Sequence, residues 1–272
     1  MTPIPEAPSL TFVGTGEALD PALANTSMLV RGARTLLLDC GYSVPHALWR
    51  LTQDPDLLDG VWISHAHADH CFGLPALLLW MRLQGRARPL TLLGGPGSRA
   101  RLEQVLELGY PGSYAAHKCY AIEFVEVAAS VSEAATTWGP LSLRAAASTH
   151  SVANYAVRVE APGQRSLMYS GDGAPTPGTR ALARGVSTLV HECFSAAPSR
   201  KHGDVDGCVA LAADAGVEVL ALLHFAAEAK LELRTRATQL ARDQLGDRVE
   251  LVLPQPGDRL SLAPGIAARS GS

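Results

Sequence analysis

The segment Ile63-Ser64-His65-Ala66-His67-Ala68-Asp69-His70 places four metal-ligating side chains within six residues. Imidazole nitrogens and a carboxylate together suit zinc, manganese or iron(II). The segment follows Val61-Trp62-Ile63, which reads as a buried strand, and precedes a helix-like stretch. A strand end that breaks into a loop can turn several side chains to one point. In an extended segment the odd-numbered side chains share a side, so His65, His67 and Asp69 are expected to face together. The turn into the helix would bring His70 around, and Ala66 and Ala68 leave room between the ligands. A single histidine here would read as loop decoration; four ligands directly after a strand read as a metal site.

Three further residues repeat that context. His150 closes Ala147-Ser148-Thr149-His150, His224 closes Leu220-Ala221-Leu222-Leu223-His224, and Asp172 sits in Ser170-Gly171-Asp172-Gly173, each just after a strand-like run. The C-terminal ends of strands are where open α/β architectures gather their sites. Taken singly, each is as readily a bonded core histidine or a turn aspartate; together they are candidate ligands. Asp39, His191 and Glu192 are candidate supports, because metal-bound histidines usually donate their second N–H to a carboxylate or carbonyl. His46 and His117 have no such context and read as structural. Cys71 reads as a small buried side chain, and Trp49, Trp62 and Trp80 as core or interface residues.

The elements that must position these groups alternate along the chain. Strand-like runs fall at residues 9–13, 27–31, 35–39, 61–64, 90–93, 121–127, 141–145, 155–160, 166–170, 188–191, 217–224 and 249–252. Helix-like stretches fall at 43–51, 74–83, 98–108, 204–215 and 228–245, and residues 171–178 read as a loop. Two strand-rich halves, each with helices, predict two sheets packed face to face with helices outside, in a single domain over residues 1–272. The chain has 272 residues, 47% hydrophobic and 18% charged, enough for a real core. A net charge of −3 argues against a broad non-specific nucleic-acid footprint. No apolar run is long enough to span a bilayer, and the N-terminus lacks a basic start followed by an apolar stretch. The five cysteines form no CxxC pair and read as reduced thiols, which predicts a cytoplasmic protein.

The set HxHxDH, then a later His, an Asp in a Gly-Asp pair and a final His, resembles the metallo-β-lactamase superfamily. That resemblance implies an α/β fold, a four-layer αβ/βα sandwich of two mixed sheets with helices on the outer faces. It also implies two divalent metal ions, zinc first, with manganese or iron(II) as alternatives. By the resemblance His65, His67 and His150 would hold the first ion, Asp69, His70 and His224 the second, and Asp172 both. The chain is more similar to the ribonuclease Z-like phosphodiesterase branch. Phe12-Val-Gly-Thr-Gly, Asn25-Thr-Ser, Leu36-Leu-Leu-Asp-Cys-Gly, Phe72-Gly-Leu-Pro, Gly94-Gly-Pro-Gly, Asn154-Tyr-Ala-Val-Arg-Val and His191-Glu-Cys-Phe carry that likeness, over residues 10–225.

The branch implies hydrolysis of a phosphodiester by a metal-bound hydroxide, with Asp69 orienting it and His202 supplying a proton to the leaving group. It also implies a homodimer. Members that process tRNA insert a long arm between the third His and the bridging Asp. Here only 22 positions separate His150 from Asp172, and a hairpin uses nearly all of them. The expected substrate is therefore a small phosphodiester or nucleotide-like ester. tRNA 3′ processing, a thioesterase, lactonase or sulfatase on the same fold, and a non-catalytic metal-binding protein are the alternatives.

Overall fold

Each sheet of this protein has helices on one face and the other sheet on its second face, so its central strands are buried on both sides. The computed structural model describes residues 7–113, 119–130 and 132–264. Along β1 (Ser9–Gly14), Leu10 and Phe12 enter the layer between the sheets while Val13 packs toward the helices. The same alternation runs through β3 (Leu36–Leu38), where Leu37 faces out, and β4 (Gly60–Ile63), where Trp62 faces in and Val61 and Ile63 face out. A pleated strand imposes this period of two, and double-sided burial leaves β3 and β4 without a charged or polar side chain.

The first sheet has the spatial order Arg259–Ser261 (β14), β1, Ser27–Arg31 (β2), β3, β4, Leu90–Gly94 (β5), Ile122–Glu126 (β6). The second has the order Glu250–Val252 (β13), Val219–Leu223 (β12), Thr188–Glu192 (β11), Leu167–Tyr169 (β10), Asn154–Glu160 (β9), Leu141–Ser148 (β8), Thr136–Trp138 (β7). Both sheets are mixed: β3 to β6 and β10 to β13 are parallel, and the remaining neighbours are antiparallel. Helices α1 (Val44–Leu51), α3 (Leu74–Leu83) and α4 (Ser98–Gly109) cover the first sheet; α2 (Ala68–Cys71) is a single turn. Helices α5 (Pro177–Ala183), α6 (Val205–Ala215) and α7 (Lys230–Leu245) cover the second. The four-layer αβ/βα sandwich is the expected architecture.

Besides the short turn α2, three elements differ from the sequence reading. β7 and β14 have three residues each, too few to display a period. Helix α5 begins inside the stretch 171–178 that composition predicts as loop. Its start is a capping box: Thr176 Oγ1 accepts the Thr179 N–H at 3.2 Å and Thr179 Oγ1 accepts the Thr176 N–H at 2.8 Å. Pro177 at the first helical position completes that signal. His46 packs edge-on against Trp49, and His117 lies outside the described residues.

The parallel strands deliver their C-terminal ends to one rim. Asp39 follows β3, Ser64 and His65 follow β4, Ser170 to Asp172 follow β10, and His224 follows β12. That is the switch-point placement expected of such sheets.

Candidate metal centre

Beyond β4 the chain stays extended through His67 (φ −76°, ψ 154°), which precedes α2. Extended backbone puts His65 and His67 on one side, with His65 Nε2 and His67 Nδ1 3.0 Å apart. Asp69 and His70 lie in the helical turn of α2, which carries them to a second position. Asp69 therefore does not share the extended face of His65 and His67, because the helix starts one residue too early. Close backbone approach makes this turn fit. A Cβ on Gly41 would lie 1.9 Å from the Asp69 carbonyl oxygen. In its absence, Cys40 N–H donates to His70 O and Gly73 N–H to Cys40 O, both at 2.8 Å.

Asp172 stands between two glycines with left-handed φ, Gly171 (59°) and Gly173 (118°). Its N–H donates to Asn154 Oδ1 at 3.2 Å and its carbonyl accepts Ser148 Oγ–H at 2.7 Å. His224 and Asp39 are the two non-glycine residues with positive φ among those described, 57° and 59°. Such strain costs on the order of 1 kcal/mol or more per residue and concentrates at functional sites.

All seven candidate ligands converge. His65, His67 and His150 form one group and Asp69, His70, Asp172 and His224 another, with the ligand atoms of each group within 4.8 Å of one another. Asp172 faces both. Its Oδ2 is 3.9 Å from the Nε2 atoms of His65 and His150 and 3.4 Å from that of His224. Its Oδ1 is 3.4 Å from His70 Nε2.

Neighbouring acceptors decide which ring nitrogen of each histidine is free. His150 Nδ1–H donates to Lys201 O at 2.9 Å, leaving Nε2 inward. Thr26 spends its hydroxyl proton on Gly16 O, so His224 Nδ1–H donates to Thr26 Oγ1 at 3.0 Å and its Nε2 is bare. His70 Nδ1–H donates to Asp39 Oδ2 at 2.7 Å. His67 is reversed: Nε2 meets Ser151 Oγ at 3.2 Å and Nδ1 points inward. These are the carboxylate, carbonyl and hydroxyl supports that fix metal-binding imidazoles.

The buried atoms His70 Nε2 and Asp172 Oδ1 have no hydrogen-bond partner. Buried polar atoms are almost always satisfied, and two lone-pair-bearing atoms facing each other call for a positive charge. Five imidazoles and two carboxylates (Asp69 and Asp172) therefore fit a pair of divalent ions, and the N/O donor set does not by itself select zinc over manganese or iron.

Protons occupy part of this role when metal is absent. Burial alone would lower the pKa of His70, but the carboxylates of Asp172 and Asp39 hold it well above the usual histidine range. Burial, with His70 as a neighbouring cation, holds His65 well below that range, and burial with His150 also lowers His67. Metal loading at neutral pH is accordingly expected to release about one proton, from His70. Apparent affinity in its group should then rise about tenfold per pH unit until pH passes the raised His70 pKa. Calorimetric titrations in two buffers of different ionisation enthalpy count that proton.

His202, read from the sequence as a proton donor, lies beside His150, with ring centroids 5.0 Å apart. Its Nδ1 meets Glu192 Oε1 at 3.1 Å. Burial alone would lower its pKa; the bond and charge of Glu192 raise it above the usual value. Glu192 is fully buried, and its Oε1 also accepts the N–H groups of Gly173 at 2.7 Å and Gly203 at 3.0 Å. Of the expected supporting pair, Glu192 thus serves His202, whereas His191 turns its Nδ1–H to the Glu192 carbonyl at 2.6 Å. Asp39 supports His70 as anticipated. None of Thr26, Ser64, Asn154 and Tyr169 reads from sequence as a support, although Thr26 and Asn154 lie in motifs that carry the family resemblance and Ser64 adjoins His65.

Two seven-stranded sheets with this histidine–aspartate centre on their rim make up the metallo-β-lactamase fold. The metallo-beta-lactamase fold protein YhfI from Bacillus subtilis superposes with a TM-score of 0.76 at 20% identity, over 94% of this chain and 99% of that one. Residues 8–244 match the family model described as Anti-Pycsar protein Apyc1, and the chain belongs to that family. Human tRNase Z, short form, superposes with a TM-score of 0.73 at 19% identity, over 94% of this chain and 100% of that one. Ribonuclease BN of Enterobacter sp. (strain 638) is 28% identical over 277 residues, 79% of this chain and 88% of the relative.

Proposed function

We propose that this chain is a dinuclear-metal phosphodiesterase acting on a small phosphodiester, such as a cyclic nucleotide, or on a nucleotide-like ester. Asp172 carries the reading, because its two oxygens address the two ligand groups at once. His65, His67 and His150 would hold one ion, Asp69, His70 and His224 the other, and Asp172 both. Zinc is the proposed metal. Two such ions, when bound, make water nucleophilic at neutral pH and offset charge on the phosphoryl oxygens.

The chain's own residues supply the proton traffic. Asp69 orients the attacking water and accepts its proton; His70 and His224 lower the pKa of Asp69 against the opposing effect of burial, so it is ionised at neutral pH. His202 hands a proton from Nε2 to the leaving oxygen, since Nδ1 is engaged by Glu192. Phe194, 4.6 Å from the His202 ring, packs on its face.

A small substrate fits the short connection between β9 and β10, residues 161–166, which leaves no arm for tRNA. The ribonuclease BN relatives favour precursor tRNA as the second reading. A panel of bis-p-nitrophenyl phosphate, a cyclic nucleotide, an aryl sulfate, a thioester, a lactone and a precursor tRNA separates them. Turnover of the first two alone is expected. Hydrolysis of only the thioester would overturn the proposal, and tRNA cleavage at low enzyme concentration would replace it with the second reading.

We place the protein in the cytoplasm, supported by free thiols at Cys40, Cys71, Cys119, Cys193 and Cys208. Among the described residues no helix is long and apolar enough to cross a membrane. We treat residues 1–272 as one domain and propose a homodimer, supported by exposed Phe72, Leu83, Leu108 and Tyr110 around α3 and α4.

A further inference from the structure

One buried carboxylate reaches both ligand groups, His70 directly and His65 through Ser64. Asp39 Oδ1 accepts the Ser64 N–H at 2.7 Å. Asp39 Oδ2 accepts Ser64 Oγ–H, Tyr169 OH and His70 Nδ1–H, each at 2.7 Å. Asp39, Tyr169 and His70 are fully buried and Ser64 nearly so. A carboxylate offers lone pairs and no proton, so Asp39 accepts from all four of these donors, three of them at Oδ2. Ser64 has one hydroxyl proton and spends it on Asp39. Its remaining contact, Oγ to His65 Nδ1 at 3.0 Å, can then only be His65 Nδ1–H donating to the Ser64 oxygen. That leaves the bare lone pair of His65 on Nε2, the nitrogen facing His67 and Asp172.

We propose that Ser64 is a positioning residue for His65, and that Asp39, held by Tyr169, sets the ring orientation and tautomer of a histidine in each ligand group, so that one brace prepares both metal sites. The inference rests on the proposed metal ligation by these histidines. The backbone is bent to serve it: Asp39 keeps a left-handed φ of 59°, which puts its side chain under β4 and α2. Tyr169 ends β10 in the opposite sheet, so the brace also joins the two sheets at the rim.

Three variants test it by metal affinity and by imidazole nitrogen NMR. Ser64→Ala removes the acceptor of His65 Nδ1–H. Its metal-free spectrum is expected to show His65 as a mixture of tautomers where the wild type shows Nδ1–H alone. Chelator competition should show one of the two metals bound about 10–100-fold more weakly, the scale of lost second-layer support. Ser64→Thr keeps the hydroxyl and is expected to restore both readings. Tyr169→Phe removes one donor from the shared carboxylate and should weaken both metals by similar factors. Wild-type affinities together with an unchanged His65 tautomer in Ser64→Ala would overturn the brace. So would a weakened Ser64→Ala whose His65 tautomer is unchanged, since lost packing would then be the cause. A wild-type protein that took up no divalent metal would instead overturn the metal reading, while the metal-free spectra would still decide the role of Ser64.

Discussion

Asp172→Asn is expected to fold normally, to retain one metal equivalent in place of two, and to lower kcat/KM toward bis-p-nitrophenyl phosphate on the order of 10³-fold. The loop that presents this residue is held by its backbone, through Asn154 and Ser148, so an isosteric amide disturbs little of it. The amide does remove the negative charge that His224, His70 and His65 surround. Those neighbours overcome burial and hold the Asp172 pKa well below the usual carboxylate range. A group depressed in the fold contributes stability above its unfolded pKa and loses it as pH falls through the folded value. The metal-free wild type should therefore lose more stability on acidification than the variant. Metal analysis of the purified protein and steady-state kinetics check the main effect. Two retained equivalents with activity within tenfold of wild type would take Asp172 out of the reaction.

His202→Ala is expected to have an effect that depends on the leaving group. General acids contribute about 10²–10⁴-fold when the departing oxygen needs a proton. A cyclic nucleotide expels an alkoxide and should lose rate on that scale. Bis-p-nitrophenyl phosphate expels a stable phenolate and should change by less than about tenfold if proton donation is the function lost. The pH profile provides a second check. Glu192 raises the His202 pKa, so the donor form persists to higher pH than in an ordinary histidine and is lost as pH rises through the raised value. Wild-type activity toward the alkoxide substrate should fall on that alkaline limb, and the variant should lack the limb. Equal losses on both substrates would assign His202 to binding or to support of His150, whose ring it touches.

Some of this centre was legible because it is local. His65 and His67 follow a buried strand, and the extended backbone between them is a property of the segment itself. His150, Asp172 and His224 shared one context, a strand end, which the parallel β10 and β12 and the antiparallel β8 reproduce. Helix α2 was less legible: four residues carry no period, and the turn depends on Gly41 lying against the Asp69 carbonyl. The supports were hidden for a different reason. Tyr169 lies 130 positions from Asp39, and Thr26 198 positions from His224. Nothing in the neighbourhood of either residue marks it as a partner of a ligand.

The amino-acid order alone determined the donor types, the strand-and-helix alternation and the layered architecture, because side-chain chemistry and the periods of apolar residues are short-range properties. The division of the seven ligands between two groups was implied by the family resemblance, but only the folded chain decided which ring nitrogen each histidine presents, and that Glu192 serves His202 rather than a cluster histidine. Those outcomes depend on single hydrogen bonds between residues brought together by sheet pairing. A carboxylate with four lone-pair sites takes whichever donors the tertiary structure delivers to it.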